Sequence, residues 1–296
     1  MKANELFYMI GNIDDAFISE AYSPKRNSLK TFIIKVAALA ACFAMVLSVI
    51  LLYGMGDSDA GAYYIEGGVC IPPNTISVKN GTECDMIGFF IYNGRWYTEY
   101  DVFEAGSVKI GEKLGTVVYG LDEWSEKDEY IELSGSAMGD FYGVEGFNTE
   151  FMLCMLPEDG RIRIFINDNG LTLKKGSDLY EKKFALSESY RTVEYQTYSD
   201  WYYGADNMGR ISEENAVIFE NFVYGLNEGG FMLSKDAVEN GLSSANEIYH
   251  LFINCESGIA VHLRLHDGGY VRFDGMLSIC VKVDEAVFDS LISILN

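Results

Sequence analysis

Basic residues, proline and histidine are scarce in this sequence. Its 296 residues include 22 Lys and Arg against 44 Asp and Glu, four Pro and three His. The net charge of −22 repels phosphate backbones and anionic headgroups, so we expect no nucleic acid among the partners of the chain. The four prolines exclude a Pro-rich or collagen-like protein, and the 49% of apolar residues excludes a mostly disordered one.

Common catalytic signatures are also absent. The sequence has no G-x-S-x-G, no H-E-x-x-H and no S-x-x-K paired with K-T-G. His262 and His266 have a metal-like spacing, but the residues around them alternate between apolar and polar, which indicates a strand. Four residues along a strand span ~13 Å, too far for both rings to hold one ion. We therefore predict a polar sheet face at His262 and His266. For the whole chain we predict no catalytic residue, no cofactor and no metal site, and we expect that the protein is not an enzyme.

One long apolar run is present. Residues 36–53 form 18 positions without a charge, which as a helix would span ~27 Å of a ~30 Å hydrocarbon core. Four Lys or Arg residues between positions 25 and 35 precede the run, and two Asp follow it. We predict a transmembrane helix over residues 31–54, with the lipid bilayer as its partner. Positive-inside bias places the N-terminus in the cytoplasm and the C-terminal part outside the cell membrane.

Three other interpretations of this run are weaker. A cleavable signal peptide would use a site at residues 60–62, but its basic region would be far too long. A lipobox ending at Cys42 would be followed by polar residues, whereas the apolar run continues. A buried core helix would need apolar surroundings that the rest of the sequence does not offer.

Residues 1–30 are expected to form an amphipathic arm. Leu6, Ile10, Ile13 and Phe17 recur at helical spacing and form one apolar stripe. About thirty residues cannot bury a core of their own, so we predict that this stripe binds a cytoplasmic partner. The alternative is an arm that lies on the membrane or serves only to set topology.

The N-terminal layout resembles that of a known group of proteins. The segment E-L-F-x-x-I-G-x-I-D-D-x-x-I-x-E-A at residues 5–21, the basic Lys25 and Arg26, and A-A-L-A-A-C within the span resemble the opening of single-pass membrane proteins of low-GC Gram-positive bacteria. Some of these are described as anti-sigma-factor-like, so the resemblance implies a sigma factor or another regulator as the cytoplasmic partner. Zinc-type anti-sigma factors carry a His-x3-Cys-x2-Cys cluster, and residues 1–30 contain neither His nor Cys.

Beyond a tether at residues 55–75, turn and strand signals dominate. We predict an α+β fold with antiparallel sheet, divided into a β-rich domain at 76–211 and an α+β C-terminal module at 212–296. Asn93-Gly94 predicts a hairpin. Residues 151–175 are predicted to form a three-strand meander with a hairpin turn at 167–170. A second meander is predicted at residues 248–273, and it continues into another strand. That last segment resembles β-meander-plus-helix modules of secreted or anchored proteins of the same bacteria.

Two helices are predicted in the C-terminal module. The first covers residues 213–226, with Ser212 as N-cap and a buried stripe that includes Val217, Phe222 and Leu226. The second follows Asp284 as its N-cap and ends the chain, with Phe288, Leu291 and Leu295 among its buried residues.

Aromatic residues are concentrated between positions 190 and 203. Of these, Trp201, Tyr202 and Tyr203 are the candidates for stacking on a sugar or peptide ligand, against the alternative of strand packing. Five cysteines follow the span: Cys70 and Cys84 would close a short loop, while Cys154 and Cys255 lie in strand runs and are expected in the core.

Together these features predict a membrane-anchored regulatory or sensory protein. Residues 57–296 carry 17 basic and 40 acidic residues, so the ligand-sensing part outside the membrane is strongly acidic. The other hypothesis is an anchored module that binds the cell envelope, with a cell-wall ligand and no signalling role.

Overall fold

A computed structural model of the protein describes residues 61–74, 87–120, 131–157, 159–239 and 246–295. The predicted arm at 1–30 and the predicted span at 31–54 lie outside these residues. None of the helices in the described ranges is both long and apolar enough to cross a membrane. Residues 63–71, inside the predicted tether, form two strands.

The strands of the described residues form three sheets, and we number them in chain order. Sheet I has the order β1-β2-β11, with β1 (Tyr63–Ile65), β2 (Gly68–Ile71) and β11 (Leu171–Leu173). Sheet II has the order β5-β8-β9-β10-β4-β3-β7-β6, with β3 (Phe89–Tyr92), β4 (Arg95–Phe103), β5 (Ile110–Val117), β6 (Tyr119–Gly120), β7 (Ser134–Gly135), β8 (Gly139–Val144), β9 (Met152–Met155) and β10 (Ile162–Ile166). Sheet III has the order β13-β12-β15-β16-β17-β18-β14, with β12 (Tyr190–Thr197), β13 (Gly209–Arg210), β14 (Phe231–Leu233), β15 (Glu247–Cys255), β16 (Ala260–His266), β17 (Tyr270–Phe273) and β18 (Ile279–Lys282).

The helices of the described residues are short apart from two. They are α1 (Ser177–Tyr180), α2 (Leu186–Ser189), α3 (Tyr198–Tyr203), α4 (Ala216–Glu228), α5 (Ser234–Glu239) and α6 (Glu285–Leu295), with a 3-10 turn at Glu213–Asn215. Neighbouring strands are antiparallel except β6 and β7. For the described residues the α+β class with antiparallel sheet and a C-terminal helix is confirmed; the division into domains at residue 211 stays a prediction.

Local sequence signals specify several of these elements correctly. Asn93 (φ 50°) and Gly94 (φ 73°) form the tight turn between β3 and β4, as predicted for a turn that needs two positive φ angles. The second predicted meander is present as β15, β16 and β17, and it continues into β18. Asp284 caps α6, since its Oδ1 accepts hydrogen bonds from the backbone N–H groups of Ala286 (3.0 Å) and Val287 (3.4 Å).

The first predicted meander is wrong in its third strand. β9 and β10 pair, but β11 leaves sheet II and pairs with β2 of sheet I. The turn at residues 167–170 is therefore not a hairpin turn. The side-chain amides of Asn167 and Asn169 both donate to the Trp96 backbone oxygen (2.9 and 3.1 Å), and the Asn169 Oδ1 accepts from the Asn74 N–H at 3.1 Å. These distant contacts redirect the chain towards sheet I.

The predicted buried stripe of α4 is partly wrong. Val217 is 64% exposed, whereas Phe219 is buried together with the expected Phe222 and Leu226. Positions 217 and 219 point about 200° apart on a helix, so only one of them can face the core, and the larger ring buries more apolar area. Ser212 lies at the N-cap position of the 3-10 turn that precedes α4, as predicted for the start of this helical segment, but its side chain makes no capping hydrogen bond.

The largest hydrophobic cluster joins sheets II and III with the two longer helices. Its members include Ile164 of β10, Leu251 and Ile253 of β15, Phe222 of α4 and Leu291 of α6. In β15 and β16 every second residue enters this cluster, so one face of sheet III is apolar. The other face is polar and carries the site described below.

The cysteine predictions divide into two groups. Cys154 and Cys255 are buried, as expected for small core residues, and Cys280 is buried as well. Burial raises the pKa of the Cys154 thiol to about 12, which keeps this sulfur protonated. The pairing of Cys70 with Cys84 stays a prediction, because Cys84 lies outside the described residues.

The turn between β15 and β16 connects sheet III to the loop that precedes β5. The Lys109 N–H donates to the Ser257 backbone oxygen at 2.8 Å. At Gly258 (φ +92°) an added Cβ would lie 1.8 Å from the Ser107 oxygen, so this close approach requires glycine.

We predict that Gly258→Ala destabilises the protein much more than Gly146→Ala. Both glycines have a positive φ, but a Cβ at Gly146 would meet nothing within 4 Å. Strain at a positive φ costs about 1 kcal/mol in both variants, and the collision with Ser107 adds about 2 kcal/mol or more only at Gly258. The measurement is thermal and urea unfolding of the full-length chain in detergent, followed by circular dichroism. Equal losses of stability would contradict the contact between the two sheets.

Candidate functional site

The polar face of sheet III is assembled by cross-strand pairing. β15 and β16 pair so that His250 lies opposite Arg264 and Phe252 lies opposite His262, and Arg264 in turn lies opposite Arg272 of β17. Because side chains alternate along a strand, these residues share one face of the sheet. The predicted polar face around His262 is confirmed.

The imidazoles of His250 and His262 form the centre of a linear series of contacts. Glu247 Oε1 lies 2.6 Å from His250 Nε2, His250 Nδ1 lies 2.6 Å from His262 Nε2, and His262 Nδ1 lies 3.3 Å from Asp274 Oδ2. We call Glu247, His250, His262 and Asp274 the histidine chain. Of these three contacts the one between the two rings has hydrogen-bond geometry, whereas His250 Nε2 and Glu247 Oε1 are buried without a hydrogen-bond partner in the described part of the chain.

Two guanidinium groups flank the histidine chain. Arg264 donates to Asp274 Oδ1, and its Nη1 lies 3.7 Å from Glu247 Oε1. Arg272 Nη2 lies 3.8 Å from Glu247 Oε2, while its Nε donates to His266 Nε2 at 3.1 Å. Since the side chains of Glu247 and His250 are only 2% and 0% exposed, charge compensation by these arginines is needed to keep such groups in the interior.

The environment shifts the pKa of several members. Burial would raise the pKa of Glu247, but the close contact with His250 and the charge of Arg264 outweigh this effect and lower the pKa. Burial also opposes ionisation of Asp274, yet the hydrogen bond and charge of His262 and the charge of Arg264 lower its pKa to about 2. Burial lowers the pKa of His250, and the nearby His262 and Arg264 add to this effect against the opposing Glu247. Both carboxylates are thus ionised at neutral pH.

Helix α3 covers the histidine chain. Thr197 caps it by accepting a hydrogen bond at Oγ1 from the Asp200 N–H (3.1 Å), and Gly204 (φ +65°) ends it. The Trp201 ring stacks on the His250 ring with centroids 4.1 Å apart and an interplanar angle of 20°. The Arg264 guanidinium carbon lies 5.1 Å from the Trp201 ring centroid, which adds a cation–π contact.

The three candidate stacking residues therefore occupy two different environments. Trp201 is partly buried between α3 and the sheet, where it anchors the helix. Tyr202 and Tyr203 are 63% and 80% exposed, and their rings meet edge to face with centroids 5.1 Å apart. Leu6, Ile10, Ile13 and Phe17, the candidate partner-binding residues, lie outside the described residues.

The sequence reasoning missed the histidine chain. It compared His262 with His266 along one strand, whereas the partner of His262 is His250 on the neighbouring strand. The available signal was that all three histidines fall between positions 250 and 266, on both strands of one predicted hairpin. Within the described residues, no group of three or more His, Cys, Asp or Glu side chains has a geometry that could hold a metal ion.

Comparison with known proteins adds no relative: no family model matches the chain, and no curated protein or solved structure is significantly similar to it.

We predict that Asp274→Asn destabilises the protein by about 2 kcal/mol at pH 7, because a carboxylate with a pKa of about 2 is stabilised relative to its value in the unfolded chain. A lowered pKa gives stability that is present above about pH 4 and is lost as the pH falls towards 2. The difference between the variant and the native chain should therefore shrink over that range. Urea unfolding at pH 7 and at several acidic pH values measures this.

The matched control for this experiment is Asp206→Asn, which removes a carboxylate from an exposed position of the loop after α3. This control is expected to change stability by less than about 0.5 kcal/mol. An Asp274→Asn variant as stable as the native chain at pH 7 would show that the charge of Asp274 does not hold the histidine chain together.

Proposed function

We propose that the protein is a membrane-anchored sensory protein whose acidic extracytoplasmic part recognises a ligand at the surface of α3. In this proposal residues 31–54 span the membrane, and the arm at 1–30 contacts a cytoplasmic regulator such as a sigma factor. The observation that carries the proposal is the pair of neighbouring exposed tyrosines, Tyr202 and Tyr203, on a helix attached to a buried polar cluster.

The two tyrosines suit recognition for a physical reason. A tyrosine offers a flat apolar ring and a hydroxyl tip, and it loses little conformational entropy on binding because it has only two side-chain torsions. Large rings that are 63% and 80% exposed contribute little to folding where they are. Such a surface suits a sugar or an extended peptide, the two chemistries found at a bacterial cell wall.

A binding role is supported over a catalytic one by the bonding of the histidines. The His250 side chain is 0% exposed and both ring nitrogens of His262 face His250 and Asp274, so neither ring presents a free nitrogen to an external nucleophile. The acidic charge of residues 57–296 disfavours polyanions as ligands. We therefore propose a function without catalysis and without nucleic acid.

We predict that the Tyr202→Ala, Tyr203→Ala double variant binds purified cell-wall sacculi about tenfold or more weakly than the native chain, because each aromatic contact contributes about 0.5–1.5 kcal/mol. The measurement is co-sedimentation of the full-length protein in detergent with sacculi at increasing concentration. The matched control is Tyr224→Ala on α4, a tyrosine that is 69% exposed. Equal binding by the double variant and the control would contradict a ligand surface at α3.

We also predict that Ile10→Ser combined with Ile13→Ser abolishes the contact between the arm and its cytoplasmic partner, because both changes interrupt the apolar stripe. Intact cells are crosslinked, the protein is isolated through its extracytoplasmic part, and the co-purifying proteins are identified. Asn12→Ser, which alters a polar position of the same segment, is the control.

In the Ile10→Ser, Ile13→Ser variant we expect a soluble regulator to disappear from the co-purifying proteins. We also expect the transcription profile of the cells to change. If the partners and the transcription profile are unchanged even when residues 1–22 are deleted, signalling through the arm is disproved. The protein would then be an anchored module that binds the envelope through its extracytoplasmic part.

A further inference from the structure

The tyrosine rings of α3 form a continuous row. Tyr198 and Tyr202 are four residues apart, so they share one face of the helix, and their ring centroids are 5.7 Å apart. The Tyr203 ring stands at 89° to the Tyr202 ring. In an edge-to-face pair each ring keeps at least one face that the other ring does not cover. Because both rings are also exposed to solvent, these faces are open to a ligand.

Ring electrostatics restricts the kind of ligand that these faces attract. An aromatic ring is negative on its face, so the face attracts a cation that lies within about 6 Å of the ring centroid. The protein uses this attraction on the inner side of the same helix, where the Arg264 guanidinium lies over Trp201. Among the described residues no Lys or Arg lies over the ring of Tyr202 or Tyr203. A cation supplied by a ligand can therefore take that position.

The charges in and beside α3 have the complementary sign. Residues 192–209 include three carboxylates and no Lys or Arg. The Asp200 carboxylate accepts hydrogen bonds from two neutral groups, the Thr197 hydroxyl at 2.9 Å and the Asn207 amide at 3.1 Å. These donors orient the carboxylate without neutralising its charge. Asp206 is exposed in the loop after α3 and forms no ion pair with another described residue.

The two arginines that border this segment are already paired. Arg191 forms an ion pair with Glu256, and Arg210 Nη2 lies 2.6 Å from Glu194 Oε1. Neither guanidinium group is therefore free to compensate the carboxylates of α3. The excess of acidic residues in 57–296 adds a long-range field that attracts cations and repels anions.

We propose that the α3 surface binds a peptide through a side-chain ammonium group, with Tyr202 and Tyr203 as its cation–π partners and Asp200 and Asp206 as its counter-charges. This inference rests on the proposed function, because it names the ligand class of the same surface. An ammonium group on a flexible carbon stem suits the surface, since the stem packs on the rings while the charge reaches the carboxylates. A neutral sugar would gain nothing from those carboxylates, and an anionic ligand would be repelled.

The first test compares two short peptides that differ in one charge. One is Ala-Lys-Ala blocked at both ends, and the other is the same peptide with its lysine amine acetylated. Both carry the same dye, and their binding to the full-length chain in a non-ionic detergent is measured by fluorescence anisotropy. We expect the charged peptide to bind about tenfold or more tightly, and equal affinities would overturn the proposal.

Two pairs of variants separate the contribution of the ring from that of the charge. Tyr203→Leu keeps an apolar side chain and the net charge but removes the ring, so it should lose most of the preference, whereas Tyr203→Phe should retain it. Asp206→Asn should lower the preference about twofold to threefold. Its control, Glu66→Gln, removes the same charge from the turn between β1 and β2 and should have no effect. An unchanged preference in Tyr203→Leu would overturn the cation–π contact.

A third measurement distinguishes failure of this inference from failure of the proposed function. Co-sedimentation is performed with native sacculi and with sacculi whose free amines have been acetylated, and we expect binding to the native sacculi only. Equal binding to both would overturn the ammonium site and leave the proposed ligand surface in place, with glycan as its ligand. Absence of binding to native sacculi would contradict the proposed function, while a preference for the charged peptide would still support the ammonium site.

Discussion

The register of β16 between β15 and β17 controls what lies on each face of sheet III. It places Leu263 and Leu265 in the core while His262 and Arg264 face the other way. A slip by one residue would move the polar set into the core and the leucines towards α3. This one strand pairing therefore sets the core packing, the contacts of the histidine chain and the position of Trp201.

Tyr100 of β4 helps to hold that register from outside sheet III. β17 pairs with β16 only from Leu263 onwards, so the first residues of β16 need other partners. The Tyr100 hydroxyl donates to the Ala260 oxygen and accepts from the His262 N–H, both at 3.1 Å. The Asp274 N–H donates to the His262 oxygen at 3.0 Å. Burying these backbone groups without partners would cost several kcal/mol, so this hydroxyl links sheet II directly to the site.

The histidine chain and the exposed tyrosines are two parts of one arrangement. Buried ion pairs contribute little net stability, because desolvation offsets most of their attraction. The buried polar cluster instead provides the surface on which Trp201 of α3 packs, by stacking on His250 and by a cation–π contact with Arg264. A helix of six residues has little stability of its own, so α3 depends on these contacts with the sheet for its position.

Features that depend on neighbouring residues could be predicted from the local sequence. Asn93-Gly94 specifies its turn because both residues tolerate a positive φ, Asp284 specifies the start of α6, and the alternation in β16 puts His262, Arg264 and His266 on one face. The sequence pattern did not predict that His250 and Asp274 complete the site, that β11 joins sheet I, or that Phe219 rather than Val217 is buried. These outcomes depend on contacts between residues far apart in the chain. Such contacts are selected by the packing of the whole core, and the local sequence pattern is compatible with either result.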